Sequence, residues 1–213
     1  MSVAAVIVVG AGGHAVVVAD ALLASGRSVV GFVDPAPGMQ GRSMCGLPVL
    51  GGDEILTQHN RSEVVLANGI GGVGDSSVRR RVQQRLVDLG WRFVGVIHPS
   101  AIVSPFAAMA ADTQLLARAV VQPNASIEEG CIVNTGAIVE HDALLGAWSH
   151  AAPGSTICGG VQVGGSCHVG AGAVVMQGIQ LGPRTIVGAG AAVVRDFEGS
   201  GTLVGVPARK LEI

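Results

Sequence analysis

The sequence predicts two domains: an α/β domain over residues 1–97 and a parallel β-solenoid of triangular section over residues 98–213. Three observations carry this prediction: a strand–glycine turn–helix pattern at the start, a six-residue repeat in the second half, and a composition with 33 glycines and no tyrosine. Hydrophobic residues make up 49% of the chain and aromatic residues 3%, so the apolar content is small and aliphatic. This composition excludes a disordered chain, which is poor in apolar residues.

Charge and hydropathy narrow the class of protein further. A net charge of −2 gives no basic surface for nucleic acid. No segment approaches the roughly 20 apolar residues that span a bilayer. The apolar run at residues 3–9 has no basic flank, which indicates a buried strand rather than a signal peptide. The four cysteines show no CxxC pairing, so we expect a cytoplasmic protein. From its charge and hydropathy we expect that it binds neither nucleic acid nor a membrane.

The first elements have the order of a nucleotide-binding unit. A β-branched run at residues 6–9 leads through the turn GAGGH into a helix-forming segment at residues 15–24. This order places backbone N–H groups and the positive end of a helix against a phosphate. A second strand at residues 29–33 ends where a ribose-binding acid lies in dinucleotide folds. The turn alone is weak evidence for a nucleotide site, because many α/β proteins use such a turn for packing. The candidate nucleotide-binding residues are Gly12, Gly13 and His14 in the turn and Asp34 after the second strand.

The rest of the first domain is short. Residues 64–66 predict a third strand, residues 75–77 offer an N-cap for a helix that runs to Leu89, and residues 91–97 predict a last strand. The helix has an apolar face and a solvated face, made respectively by Val78, Val82 and Leu86 and by Arg79, Arg80, Arg81 and Arg85. About 95 residues hold only half of a dinucleotide fold, which favours a nucleotide-linked ligand over NAD.

The second domain is predicted by its repeat. Every sixth residue from Val103 to Val193 is apolar, which makes sixteen positions without an insertion. Four places after each of these, thirteen of the fifteen positions from Ala107 to Ala191 hold Ala, Ser, Thr or Cys, and we expect Cys131 and Cys167 of this inward column to be core residues. Neither a helix nor an alternating strand produces this register. Three hexads make one coil, so residues 18 apart should stack at about 4.8 Å, with the large column inside and the small column near each corner.

The repeat resembles the left-handed β-helix of hexapeptide acyltransferases, and the handedness is implied by that family. The segments GAGGH at 10–14, IHPSA at 97–101, NTGAIVEHD at 134–142 and GVPAR at 205–209 extend the resemblance over nearly the whole chain. They are similar to bacterial sialic acid O-acetyltransferases and to nucleotide-aminosugar N-acetyltransferases of the bacillosamine and perosamine pathways. The resemblance implies a homotrimer with acyl-CoA in a groove between neighbouring β-helices and the sugar nucleotide on the N-terminal domain.

Of the six histidines, His141 is the one whose neighbours favour a catalytic role. It lies two residues beyond the inward Val139, between Glu140 and Asp142. An imidazole that titrates near pH 6.5 is a natural general base, and an adjacent carboxylate orients it and raises its basicity. The resemblance implies that His141 is the base and that Asp142 assists it, although the bacillosamine enzyme has Glu in the second place.

Further site residues follow from stacking and from the resemblance. Gly159 stacks one coil beyond His141 and offers an N–H group to an oxyanion, a role that the resemblance also implies; a corner glycine that needs a positive φ is the alternative. The small or flat column of Pro153, Ala171, Ala189 and Pro207 would leave a shallow groove for a pantetheine arm. The resemblance implies that His150, Ala171 and Ala189 contact acetyl-CoA.

The sequence therefore predicts an acetyl-CoA-dependent N-acetyltransferase that acts directly on a nucleotide-linked amino sugar, GDP-perosamine first and a UDP-linked 4-amino sugar second. Sialic acid O-acetylation stays open as an alternative. From another class, a non-enzymatic or zinc-binding β-helix scaffold stays open, because His150 and His168 stack 18 residues apart. A zinc site would need a third histidine from a neighbouring chain, and His141 occupies a different hexad position, so we expect no metal.

Overall fold

The computed structural model describes residues 4–212 of the chain. It divides into two compact units: Met1–Gly72 with Ser77–Pro99, and Val73–Ser76 with Ser100–Ile213. Within residues 4–212, no helix is long and apolar enough to cross a membrane.

The first unit is a small sheet with two helices. In chain order its elements are β1 (Ala5–Val9), α1 (Gly13–Ala24), β2 (Val29–Val33), β3 (Ser43–Met44), β4 (Leu47–Gly51), a 3-10 helix (Asp53–Gln58), β5 (Val64–Asn68), α2 (Ser77–Asp88) and β6 (Val96–Ile97). The main sheet has the order β3-β4-β2-β1-β5, with β3 antiparallel to β4 and the other pairs parallel. The adjacent β1 and β5 are almost fully buried, as expected for parallel strands, whose two faces are usually both covered. The predicted strands at 6–9, 29–33 and 64–66 are confirmed, and residue 3 lies outside the described part.

Two expectations for this unit are wrong. The first concerns two residues of α2: Arg79 is 3% exposed whereas Val78 is 46% exposed, while Leu86 is buried and Val82 packs against the core as predicted. The buried amide of Asn68 donates to the Arg79 carbonyl and to Gln83 Oε1, so this side of the helix makes a buried polar contact. The predicted strand at 91–97 shortens to β6, because the backbone of the described residues before β6 pairs with β5 only at an isolated bridge between Phe93 and Leu66.

The second unit is a parallel β-helix with three faces, which the chain visits in the order face 1, face 2, face 3. Strands of successive coils pair in parallel and 18 residues apart along each face. Face 1 contains Ile102–Val103, Val120–Val121, Ile138–Val139, Thr156–Ile157, Val174–Val175 and Ala192–Val193. Face 2 contains Ala108–Met109, Ser126–Ile127, Leu144–Leu145, Gln162–Val163 and Gln180–Leu181. Face 3 contains Gln114–Leu115, Ile132–Val133, His150–Ala151, His168–Val169, Thr185–Val187, Gly201–Val204 and the antiparallel Arg209–Lys210.

The interior of the β-helix is the predicted pair of columns. Large residues such as Val139, Ile157 and Val175 are fully buried, one on each coil of face 1. Cys131 and Cys167 are 0% and 2% exposed, which confirms them as core residues of the small column. The burial of these aliphatic columns holds the β-helix together, since each buried methylene group contributes about 0.8 kcal/mol.

The corners share one backbone feature that the repeat alone did not reveal. From Arg118 to Gly190, every sixth residue has a positive φ between 58° and 73°. Glycine holds most of these positions because it has no Cβ to strain, and Asn124 and Asp142 hold two of them because their short polar side chains tolerate this conformation. Asp142 therefore occupies a position at which the coil itself requires a left-handed residue.

Candidate active site

The edge between face 1 and face 2, which we call the base edge, carries the predicted base and its helper. His141 and Asp142 lie in the turn between Ile138–Val139 and Leu144–Leu145. Asp142 Oδ2 is 2.7 Å from His141 Nδ1, and the two side chains are 55% and 56% exposed. A carboxylate can only accept a hydrogen bond from this nitrogen, so Nδ1 carries the proton and Nε2 is the basic atom. The predicted pairing of these two residues is present.

The charge distribution of the base edge favours the protonated imidazole. The hydrogen bond to Asp142 raises the pKa of His141, and the charges of Asp142 and Glu140 act in the same direction. The same bond, together with a hydrogen bond from Asn124, lowers the pKa of Asp142. A raised pKa makes His141 a stronger proton acceptor, because basicity follows pKa.

Asn124 is a site residue that the sequence reasoning missed. Its Nδ2 donates to Asp142 Oδ1 at a distance of 3.0 Å, so the two oxygens of the Asp142 carboxylate bind two different partners. Asn124 precedes Asp142 by 18 residues and therefore stacks beneath it on the previous coil. A search of the coil below each candidate residue would have found it.

Gly159 lies against the ring of His141. A Cβ at this position would be 2.6 Å from His141 Nε2 and 2.7 Å from Cε1, so only glycine leaves room for the base. Gly159 lacks the positive φ that was the alternative reason for a corner glycine; Gly160, with φ 68°, has it instead. Space, and not backbone conformation, therefore explains this residue.

The N–H group of Gly159 is available for a ligand. Within residues 4–212 it donates to no acceptor, whereas its neighbours Cys158 and Gly160 donate to the Val175 and His141 carbonyls. Two and three coils earlier the same hexad position is proline, at 123 and 105, which has no N–H group to donate. The coil thus leaves this N–H unused, and in Gly159 it lies beside the base.

The predicted acetyl-CoA residues lie elsewhere on the β-helix. His150 is on face 3, where Asn134 Nδ2 lies 3.0 Å from its Nε2. Ala171 and Ala189 are exposed on the edge between face 3 and face 1, which we call the alanine edge. Face 1 separates the alanine edge from the base edge, so one chain does not bring these three residues together with His141.

His168 packs against His150 as the stacking predicts. The two rings are edge to face with centroids 5.0 Å apart, and burial lowers the pKa of His168. Among the described residues, no group of three or more His, Cys, Asp or Glu side chains could hold a metal ion. Within one chain, the two histidines make an edge-to-face contact.

The glycine turn of the first unit forms an open helix N-terminus. A Cβ built on Gly12 or Gly13 would meet no atom within 4 Å, and Gly12 provides no side-chain cap to α1. Asp34 accepts hydrogen bonds from the backbone N–H groups of Ala11 and Ala36, each with a donor–acceptor distance of 2.8 Å. Asp34 thus ties the turn to the end of β2, and α1 begins at the exposed Gly12 and Gly13, an arrangement suited to an anion.

Comparisons with known proteins agree with both units. Residues 5–86 match a family described as the PglD N-terminal domain. PerB from Caulobacter crescentus, crystallised with CoA and GDP-perosamine, is 37% identical over 99% of this chain and 99% of its own, with a TM-score of 0.89. A histidine-to-asparagine variant of perosamine N-acetyltransferase from the same organism is 37% identical over 100% and 99%, with a TM-score of 0.90. The acetyltransferase domain of PglB from Neisseria gonorrhoeae, crystallised with acetyl coenzyme A, is 34% identical over 97% and 98%, with a TM-score of 0.88.

Proposed function

This chain belongs to the hexapeptide-repeat N-acetyltransferases of nucleotide-linked amino sugars, and from that premise we propose which residues carry out the reaction. Its fold is a Rossmann-like N-terminal domain followed by a left-handed parallel β-helix. It transfers the acetyl group of acetyl-CoA to the amino group of a nucleotide-linked amino sugar. The fold class and the activity predicted from the sequence are therefore confirmed.

We propose that His141 is the general base. The neutral sugar amine attacks the thioester carbonyl, so that a C–N bond forms, and Nε2 of His141 accepts the proton that the nitrogen loses. The tetrahedral intermediate collapses with cleavage of the C–S bond, and the histidinium returns its proton to the CoA thiolate. No acyl-enzyme forms, because the amine reacts with the thioester directly. The observation that carries this proposal is the Nδ1–Asp142 contact of 2.7 Å, which leaves Nε2 as the basic nitrogen.

Gly159 stabilises the oxyanion in this scheme. Its unused N–H group lies next to the base, where the carbonyl oxygen of the thioester gains negative charge. Asp142 keeps the ring of His141 in the productive tautomer, and Asn124 keeps Asp142 in place. We assign catalytic roles to His141 and Gly159 and positioning roles to Asp142 and Asn124.

We propose a homotrimer, because one chain presents the two halves of the acyl-CoA site on different edges. The base lies on the base edge, and Ala171 and Ala189 lie on the alanine edge, with the whole of face 1 between them. One acyl chain can contact both edges only where the base edge of one protomer meets the alanine edge of the next. Face 1 supports this packing, since its outward column is largely apolar and exposes Ile102 and Val174 by 67% and 37%.

We propose that the sugar nucleotide binds the first unit at Gly12, Gly13, His14 and Asp34. The exposed N-terminus of α1 suits its phosphates, and GDP-perosamine is the first candidate because a relative 37% identical is crystallised with it. A UDP-linked 4-amino sugar is the second candidate. We further propose that the enzyme is cytoplasmic and contributes to polysaccharide biosynthesis, since its two co-substrates are activated cytoplasmic metabolites.

A thermal-shift panel with GDP-, UDP-, dTDP- and CMP-linked amino sugars, each with CoA present, tests the substrate. We expect the largest rise in Tm with the GDP sugar, and mass spectrometry should then show one added acetyl group on its nitrogen. A larger shift and faster turnover with a UDP sugar would replace the first candidate with the second. Acetylation of a sialic acid hydroxyl in place of these amines would contradict the N-acetyl assignment.

A further inference from the structure

A second glycine-rich loop lies beside the GAGGH turn of the first unit. Residues 69–72, with the sequence GIGG, follow β5 as the turn at residues 10–14 follows β1. We call residues 69–72 the second glycine loop. Because β1 and β5 pair in parallel, the turn and the second glycine loop leave the sheet at the same edge.

The turn and the second glycine loop border the point at which the chain order of the sheet reverses. The order β3-β4-β2-β1-β5 places β2 on one side of β1 and β5 on the other. Ligands of open α/β sheets bind outside the carboxyl ends of the strands at such a point. Residues 70–72 are partly exposed, whereas Asn68 and Gly69 are buried. The exposed part of the loop therefore faces the same crevice as the turn.

Contacts with α1 fix how close the second glycine loop lies to the turn. The Gly69 N–H donates to the Val9 carbonyl at a distance of 2.8 Å. A Cβ on Gly69 would be 2.7 Å from Ala15 Cβ, and a Cβ on Gly71 would be 3.0 Å from His14 Cβ. Both distances are shorter than the 3.4 Å at which ordinary contact begins, so glycine is what allows this packing. His14, one of the predicted nucleotide-binding residues, thus has Gly71 as a direct neighbour.

Asn68, the last residue of β5, holds this loop. Its Nδ2 donates to the Arg79 carbonyl at 3.2 Å and to Gln83 Oε1 at 2.9 Å, both on α2. A carbonyl oxygen can only accept, so Nδ2 faces α2 and Oδ1 faces the loop. Oδ1 accepts a hydrogen bond from the Ile70 N–H at 3.1 Å. One buried amide therefore connects the second glycine loop to α2.

The loop depends on this hydrogen bond because its own sequence does not stiffen it. Three of its four residues are glycine, which has the largest backbone freedom. Ile70 is the exception, and its side chain lies against the turn, where a Cβ on Gly10 would be 3.2 Å from Ile70 Cγ1. The Asn68 amide thus fixes the one loop residue whose side chain contacts the turn.

We propose that Asn68 is a positioning residue for the sugar nucleotide: by accepting the Ile70 N–H, it holds the second glycine loop at the distance from His14 that the ligand requires. The proposal rests on the proposed function, because it takes this crevice to be the sugar-nucleotide site. Asn68 is 4% exposed, so it acts on the ligand through the loop. If Asn68 only stabilised the fold, its replacement would lower Tm and leave both KM values unchanged.

Two truncations of Asn68 separate positioning from stability. Asn68→Ala and Asn68→Ser both remove the hydrogen bonds to α2 and nearly the same side-chain volume. Serine keeps an oxygen that can accept the N–H two residues ahead, though more weakly than asparagine, whereas alanine keeps none. Val82→Ala is the matched control on α2, because it removes apolar packing against the core of the first unit and leaves Asn68 in place.

The assay measures release of CoA thiol with the amino sugar nucleotide that gives the largest rise in Tm in the thermal-shift panel. Asn68→Ala should raise the KM for the sugar nucleotide about tenfold, with kcat and the KM for acetyl-CoA unchanged. Asn68→Ser should raise this KM much less, although it should lose as much Tm as Asn68→Ala. Val82→Ala should lower Tm and change neither KM.

Gly71→Ala tests the contact with His14 by a second route that leaves Asn68 intact. Gly71 does not have a positive φ, so alanine fits its backbone and the strain falls on His14, 3.0 Å from the new Cβ. The KM for the sugar nucleotide should rise several-fold with Tm nearly unchanged. Gly165→Ala in the second unit is the control, since its Cβ would also be tight, 3.3 Å from the Ala147 carbonyl oxygen. It should change neither KM.

Three results would overturn the proposal: equal KM values for the sugar nucleotide in Asn68→Ala and Asn68→Ser, a KM for acetyl-CoA that rises as much, or an unchanged KM in Gly71→Ala. The last result decides the matter even if Asn68→Ala does not fold. Each of them leaves the proposed function intact as long as the unmutated enzyme acetylates an amino sugar nucleotide. If it releases no CoA thiol with any member of the panel, the proposed function fails, and this proposal fails with it.

Discussion

Replacing Gly159 with alanine separates the catalytic use of this corner from its structural use. The new Cβ would lie 2.6 Å from His141 Nε2, about 0.8 Å short of the 3.4 Å at which ordinary contact begins. The backbone of Gly159 lacks the positive φ that strains an alanine, so the protein should fold normally. The exposed ring of His141 must therefore move by close to 1 Å. A misplacement of this size costs about 100-fold in rate.

Gly160→Ala is the matched control. A Cβ there meets no atom within 4 Å, but the residue has φ 68°, so alanine should cost about 1 kcal/mol of stability. In a chain of this length that lowers Tm by about 2–4 °C. We expect Gly159→Ala to lose about 100-fold in kcat with little change in Tm, and Gly160→Ala to lose Tm with little change in kcat.

The assay is initial-rate release of CoA thiol with a saturating amino sugar nucleotide, alongside thermal unfolding of both variants. CoA binding, measured by calorimetry, should persist in Gly159→Ala, which shows that the loss is catalytic. A Gly159→Ala enzyme with unmutated kcat would refute the placement of the base against this glycine. Equal loss of Tm in both variants would instead mean that Gly159 is a conformational glycine.

Four other predictions follow from the site. His141→Asn should lower kcat by roughly two to four orders of magnitude, with CoA affinity retained, and near-normal turnover would falsify the base assignment. Because only neutral His141 accepts a proton, kcat/KM should rise with pH through the raised pKa of His141. Asp142→Asn removes the hydrogen bond that raises this pKa, so the rise should move to lower pH in a pH–rate profile. Gly13→Val should weaken sugar-nucleotide binding in calorimetry and leave CoA binding intact, since the added side chain meets open space in the protein. Sedimentation should show a trimer, and a stable, active monomer would contradict the shared site.

The sequence pattern predicted correctly the features that repeat along the chain or join adjacent residues. The inward column around Val139, the small column with Cys131, and the pairing of His141 with Asp142 all follow from positions along the chain, and the structure contains each of them. The pattern failed for Arg79, which lies on the side of α2 that the buried Asn68 amide contacts. Hydrophobic periodicity does not register such a polar contact between distant elements.

The sequence by itself determined the β-helix, its three-sided coil and the identity of the candidate base, because a strict six-residue repeat leaves the chain one way to bury its aliphatic residues. Only the tertiary structure decided which neighbours each site residue has. It showed Asn124 behind Asp142, the ring of His141 against Gly159, and the predicted acetyl-CoA residues on face 3 and the alanine edge. The physical reason is that each of these relations involves residues on different coils or on different sides of the β-helix. They therefore depend on how the side chains at the corners are oriented. The repeat sets the coil, and its corners hold left-handed residues such as Asp142 and Gly160.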